Sequence, residues 1–149
     1  MDSYNDKDNI GIGSWFIIHT TAMKAKSHAN KILFQELMKI LEKNFPCHYC
    51  REHMKKFMEK EPLKNYNNKC YKDIDKDAGY FYWSWKLHNE VNKRLGKKLV
   101  SFHDAYNYFS NLEENVCYNC GGINKNLTKK EISYNEFIKS NLPKKITFL

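Results

Sequence analysis

The stretch from Ala78 to Gly96 constrains this chain more than any other. It sets Phe81, Trp85, His88, Asn92 and Leu95 three and four residues apart, the repeat that brings side chains onto one helical face. Asn89 precedes Asn92 by one turn on an adjacent strip. A histidine and two asparagines on an aromatic face need hydrogen-bond partners once buried. An apolar core offers few, whereas a planar polar ligand satisfies them directly. Gly96 suits the helix end. Lys93, Arg94, Lys97 and Lys98 gather there, where cations complement the helix dipole or meet a phosphate.

The same period recurs along the chain. Trp15, Ile18, His19, Ala22 and Met23 form a first helical pattern from Gly11, with Trp15 and His19 one turn apart on one face. A second helix is expected over Ala29–Lys43, with Leu33, Leu37, Ile40 and Leu41 as its buried stripe. A third runs from Cys47 to Lys60 and stops before Pro62. Residues 63–76 are rich in Lys, Asn and Asp and read as a solvated loop holding Cys70, most simply a free thiol. Ser101-Phe-His-Asp104 resembles a capping box opening a short fifth helix through Tyr106 and Phe109. Thr128 and Glu131 are spaced as a second capping box before a small helix over residues 129–140. No segment sustains the alternation of a strand, so the fold class is all-α. The organisation expected is a flexible N-terminus over 1–10, one helical domain over 11–111, and a C-terminal tail over 112–149.

Phe45-Pro46-Cys47-His48-Tyr49-Cys50 carries the reactive chemistry. Pro46 fixes the entry to a helix, which puts Cys47 at its first turn. Unpaired N–H groups and the positive dipole end there stabilise a thiolate, the form that attacks disulfides or binds metal. The five cysteines form the pairs Cys47/Cys50 and Cys117/Cys120 plus Cys70. Two CxxC pairs suit either zinc or redox chemistry, and at this point both remain open. The first ten residues contain no hydrophobic leader, and no apolar run approaches a membrane span. A soluble protein, not secreted through a visible signal peptide, is expected. A net charge of +8 invites a nucleic-acid reading, but only Arg51 and Arg94 are arginines among 25 basic residues. Guanidinium forks for base and phosphate recognition are therefore scarce, and specific nucleic-acid binding is not expected.

Taken together, Gly11-x-x-x-Trp15-x-x-x-His19, Pro46-Cys47-x-x-Cys50 and His88-Asn89-Glu90-Val91-Asn92-x-x-Leu95-Gly96-Lys97 resemble the Erv/ALR family of FAD-linked sulfhydryl oxidases. Order and spacing agree from about Gly11 to Phe109. The resemblance implies a four-helix bundle with a short fifth helix across it and FAD held within. It implies Cys47 and Cys50 as the catalytic pair, with Cys50 facing the flavin and Cys47 exchanging with incoming dithiols. Trp15, His19, His88, Asn89 and Asn92 would contact the nucleotide, with Gly11, Val91 and Leu95 beside them. Lys97 would lie near the pyrophosphate, and Tyr108 and Phe109 would form an aromatic wall.

The implied reaction makes disulfides in protein or small dithiol substrates and reduces O2 to H2O2. A thioredoxin-like carrier is the implied partner, a homodimer through the first two helices the implied assembly, and no resident metal is involved. Cys117 and Cys120 are candidates for an electron shuttle, or for a structural bond to another chain. Trp85 and Phe102 stand where cellular members carry a second disulfide, so aromatic packing is expected to replace it. Ile12 stands where an arginine is frequent. The missing structural disulfide, in a small Lys/Asn-rich chain, looks more like the versions encoded by large DNA viruses, which implies the cytoplasm of an infected host cell and the virion. The main alternative is a zinc module on Cys47, Cys50, Cys117 and Cys120, which leaves the His-Asn-x-Val-Asn run unexplained. A thioredoxin-like fold lacks its strands, and a plain helical interaction protein leaves the cysteines without a role.

Overall fold

The computed structural model describes residues 6–68, 71 and 76–112. Among these described residues five α-helices run in order: α1 (Asp6–Lys24), α2 (His28–Asn44), α3 (His48–Lys60), α4 (Gly79–Arg94) and α5 (Phe102–Ser110). All regular structure among the described residues is helical. The terminal helix expected over 129–140, Cys70, and the Cys117/Cys120 pair lie outside the described residues.

Local chemistry accounts for the helix ends. Ser27 caps α2, its hydroxyl accepting from the Asn30 N–H at 3.2 Å. Ser101 does the same for α5, taking the Asp104 N–H at 3.1 Å while its own hydroxyl donates to Asp104 Oδ2 at 2.7 Å. Gly96 closes α4 at φ 65°, and the returning N–H groups of Gly96 and Lys97 bond Lys93 O and Asn92 O, the bonding pattern of a left-handed glycine stop. α1 begins at Asp6, five residues before the Gly11 start expected from sequence. Nothing in residues 6–10 breaks a helix, so once nucleated it extends through polar residues as readily as apolar ones.

Trp15, Ile18 and Ala22 of α1, Phe34 and Met38 of α2, Phe57 of α3, and Tyr80, Phe81, Trp83 and Leu87 of α4 make the core. α1 packs on α4, α2 on α3, and α5 on both α1 and α4. Fully buried Trp83 meets Phe34 and Phe57 edge-on and donates its indole N–H to Glu61 O at 2.7 Å.

Two expectations are corrected. The α2 core stripe is Phe34 and Met38 flanked by Leu37 and Leu41, while Leu33 and Ile40 are 67% and 57% exposed. α2 carries apolar residues on too many sides for periodicity to choose the inward face. Nor is the segment after α3 simply a solvated loop. Leu63–Tyr66 forms a 3-10 turn that buries the Tyr66 ring. The Tyr66 hydroxyl and the Lys86 ammonium both bond the Glu61 carboxylate. Lys31, itself buried, reaches Asn68 Oδ1 at 3.1 Å and pins the same segment to α2.

Candidate active site

Pro46 separates α2 from α3, and Cys47 is the N-cap of α3, its sulfur accepting the Cys50 N–H at 3.1 Å. Cys47 and Cys50 are joined by a disulfide. Arg51 holds the turn from outside, donating to Phe45 O and lying 3.3 Å from His48 Nδ1. The two sulfurs occupy different surroundings. Cys47 is half-buried at the helix mouth, whereas Cys50 is 7% exposed and lines a cavity of about 320 Å³.

Three helices wall that cavity. α1 supplies Ser14, Trp15 and Ile18; α3 supplies Cys50, His53, Met54 and Phe57; α4 supplies Leu87, Glu90, Val91 and Arg94. Its apolar sides suit a flat aromatic guest, and the Arg94 Nη1 is buried with no hydrogen-bond partner among the described residues. A buried cationic donor without a partner calls for an acceptor or anion on the guest. Arg94 also lies over the exposed Tyr49 ring, 5.3 Å from its centroid.

Beside the cavity, Trp15 stacks on His88 with centroids 3.9 Å apart and planes 7° from parallel. His19 is buried behind them, its Nε2 2.8 Å from His88 Nδ1 and its Nδ1 2.9 Å from Ser84 Oγ. Burial, then the nearby His88, drives the His19 pKa far below that of a free imidazole. Burial, then the Lys97 charge, pulls His88 down to about 3. Both rings are neutral at pH 7. Phe109 closes the wall 4.9 Å from His19 and in turn touches Tyr108.

The structure brings Trp15, His19, Cys50, His88, Val91 and Phe109 into one neighbourhood. Asn92 is buried on α4. Gly11 is buried on α1, Leu95 is the C-cap of α4, and Lys97 follows the turn at Gly96. Asn89 finds hydrogen-bond partners within the chain. Its Nδ2 donates to Val100 O at 2.8 Å and its Oδ1 accepts the Val100 N–H at 3.1 Å. Its amide thus clamps the α4–α5 connection, so that a ligand is not needed to satisfy it. Trp85 joins the same clamp, donating to Val100 O at 2.8 Å and meeting Phe102 edge-on at 5.4 Å. The aromatic replacement expected at these two positions is present.

Sequence reasoning missed Ser84 and the inward reach of Arg94. Ser84 lies four residues before His88, so helical spacing alone would have placed it on the histidine face. Nothing local signals that Arg94 turns inward from a basic cluster.

An all-helical bundle with a disulfide-forming pair at a helix start, one sulfur opening on a cavity walled by aromatic and apolar rings, defines a helical dithiol–disulfide redox protein. Residues 12–112 match the model of the Erv1 / Alr family, and the chain belongs to that family. It is 30% identical over 98 residues to an FAD-linked sulfhydryl oxidase of African swine fever virus (isolate Pig/Kenya/KEN-50/1950), covering 64% of this chain and 75% of the relative. A second isolate of that virus (Tick/Malawi/Lil 20-1/1983) has an FAD-linked sulfhydryl oxidase 31% identical over 94 residues, 63% of this chain and 67% of the relative. FAD-linked sulfhydryl oxidase ERV1 of Oryza sativa subsp. japonica is 27% identical over 96 residues, 62% of this chain and 45% of the relative.

Proposed function

We propose that this protein is an FAD-dependent thiol oxidase that generates disulfides through Cys47 and Cys50. The observation that carries the reading is the division of the disulfide between two environments. Cys47 is approachable at the α3 N-terminus, and Cys50 is enclosed in the cavity with Trp15, Leu87 and Val91. The cavity suits the flavin: apolar faces for the ring system, and the unpaired Arg94 Nη1 for its polar edge. The Asn92 carboxamide and the Trp15–His88 wall are available to the rest of the nucleotide.

A substrate thiolate attacks Cys47 Sγ, forming a mixed disulfide and expelling Cys50 as a thiolate with the electron pair of the broken bond. The N-terminal end of α3 favours that anion. A second substrate thiolate then attacks the substrate sulfur of the mixed disulfide, releasing the oxidised substrate and leaving Cys47 and Cys50 reduced. Bound FAD would supply the two-electron acceptor for this reduced pair and the route to O2, so that overall two thiols and one O2 would become one disulfide and one H2O2. Around it the chain excludes water with Ile18, Phe57 and Leu87 and keeps Cys50 on the cavity side.

Cys117 and Cys120 are offered as the shuttle that delivers electrons to Cys47 from a thiol-containing protein, a thioredoxin-like carrier being the partner type. A homodimer is supported by exposed Ile12, Phe16 and Ile17 on α1 and Ile32, Leu33 and Ile40 on α2, an apolar surface of the kind that marks an interface. No helix among the described residues is long and apolar enough to cross a membrane. Likeness to the African swine fever virus proteins supports action in the cytoplasm of an infected host cell and in the virion.

The test is direct. Purified protein should be yellow, carry about one FAD per chain, and consume O2 when given a dithiol. Colourless protein holding stoichiometric zinc, with no dithiol-dependent O2 uptake, would overturn the reading.

A further inference from the structure

We propose that Ser84 is a positioning residue: by fixing the tautomers of His19 and His88 it makes His88 Nε2 an obligate hydrogen-bond acceptor for an N–H or O–H of the bound flavin nucleotide. The inference rests on the Trp15–His88 wall being a cofactor contact, and it assigns that wall a polarity.

Counting protons fixes the two tautomers. Ser84 Oγ lies 2.7 Å from Phe81 O and 2.9 Å from His19 Nδ1, with Ser84 fully buried. A carbonyl only accepts, so the single hydroxyl proton goes to Phe81 O. Ser84 Oγ must then accept from His19, which places the His19 proton on Nδ1. Neutral His19 has a lone pair left on Nε2, 2.8 Å from His88 Nδ1. His88 must donate there, so its one proton is on Nδ1 and its Nε2 is bare. Nε2 has no hydrogen-bond partner among the described residues, and Lys97 is the charged group near enough to act on the ring.

The opposite chain, with Ser84 donating to His19, gives up the Ser84–Phe81 bond and would present His88 Nε2–H instead. The two arrangements select opposite ligand chemistry. The first matches the donors of FAD, which are the adenine amino group, the sugar and ribityl hydroxyls and the flavin N3–H. The second matches its many acceptors. A hydroxyl with no contact to the ligand thus decides what the wall recognises.

Two near-isosteric replacements separate this role from simple packing. Ser84→Thr keeps the hydroxyl and Ser84→Val does not, while both add similar bulk; Ser84→Ala serves as the smaller hydroxyl-free variant. In histidine-15N-labelled holoprotein, long-range 1H–15N correlation reads which ring nitrogen carries each proton. Wild type and Ser84→Thr should show Nδ1–H on both His19 and His88. Ser84→Val and Ser84→Ala should reverse both rings, because an orphaned lone pair at His19 Nδ1 is tolerated better than an orphaned N–H. Their FAD dissociation constant, from the fluorescence of released FAD, should rise about tenfold or more above that of Ser84→Thr. Nε2–H on His88 in wild type, or FAD affinity within twofold across the Thr, Val and Ala variants, would overturn the proposal. Wild type that takes up no FAD would instead overturn the cofactor reading, and the same correlation recorded on that FAD-free protein would still decide whether Ser84 sets the two tautomers.

Discussion

His19 and His88 are 69 positions apart in the chain, yet their ring nitrogens lie 2.8 Å from each other beneath the indole of Trp15. Both are held neutral, with His88 pulled down to about 3 and His19 also far below its ordinary value. The unfolded chain takes up these protons near pH 6.5, whereas the folded protein resists them until far lower pH. Stability from this pair is therefore complete above pH 6.5 and declines as pH falls from there toward 3, by at most about 1.4 kcal/mol per pH unit for each ring. Urea unfolding at pH 7, 5.5 and 4.5 should show the decline. The variant His88→Gln should flatten it, and an equal slope in that variant would remove His88 from the account.

Cys50→Ser should abolish dithiol-dependent O2 consumption while FAD stays bound, because the cavity walls are otherwise unchanged. The remaining Cys47 thiolate should attack the disulfide of the oxidised substrate, expelling one substrate thiolate, and the resulting mixed disulfide should be visible by mass spectrometry. Retained turnover in the variant would reassign the flavin-facing sulfur. Cys117→Ala and Cys120→Ala should slow turnover with protein substrates more than with small dithiols. Equal slowing on both would assign the pair a structural role.

Trp85 and Phe102 couple α4 to α5 through an edge-to-face contact at 5.4 Å, and Trp85 also ties down Val100. Phe102→Ala should cost about 2–3 kcal/mol of stability, below the range for a fully buried ring because Phe102 is only partly covered. A double-mutant cycle with Trp85→Ala should return about 0.5–1.5 kcal/mol of coupling. Strict additivity in denaturant titrations would mean that the rings pack independently.

Gly96 has φ 65°, and an added Cβ would meet nothing within 4 Å. Gly96→Ala should therefore cost only the left-handed backbone penalty, about 1–2 kcal/mol. The loss should appear in thermal melts with the FAD content of the folded protein retained.

Leu33→Glu and Ile40→Lys place charges on an exposed α2 face that makes no contribution to the core. Each should shift a dimer to monomer in sedimentation velocity with helix content unchanged. A monomeric wild-type protein at micromolar concentration would remove the dimer from the reading.

Helices, caps and the reactive pair were legible in the sequence because their causes are local. The 3.6-residue repeat placed Trp15 with His19 and His88 with Asn92; Pro46 fixed the start of the CxxC helix; Ser101 and Gly96 marked an entry and an exit. The inward face of α2 was not legible, since Leu33 and Phe34 are equally apolar and only the neighbouring helices choose between them. Partners were equally hidden. No local signal tells that the Val100 backbone engages the Asn89 amide, or that Arg94 turns its Nη1 into the interior. The sequence by itself determined an all-helical protein with a dithiol pair at a helix start and a polar aromatic face nearby. Only the tertiary structure decided which sulfur is enclosed and that Ser84, His19 and His88 join in one hydrogen-bonded chain. Those outcomes depend on distances between residues up to 69 positions apart, and no local pattern encodes such distances.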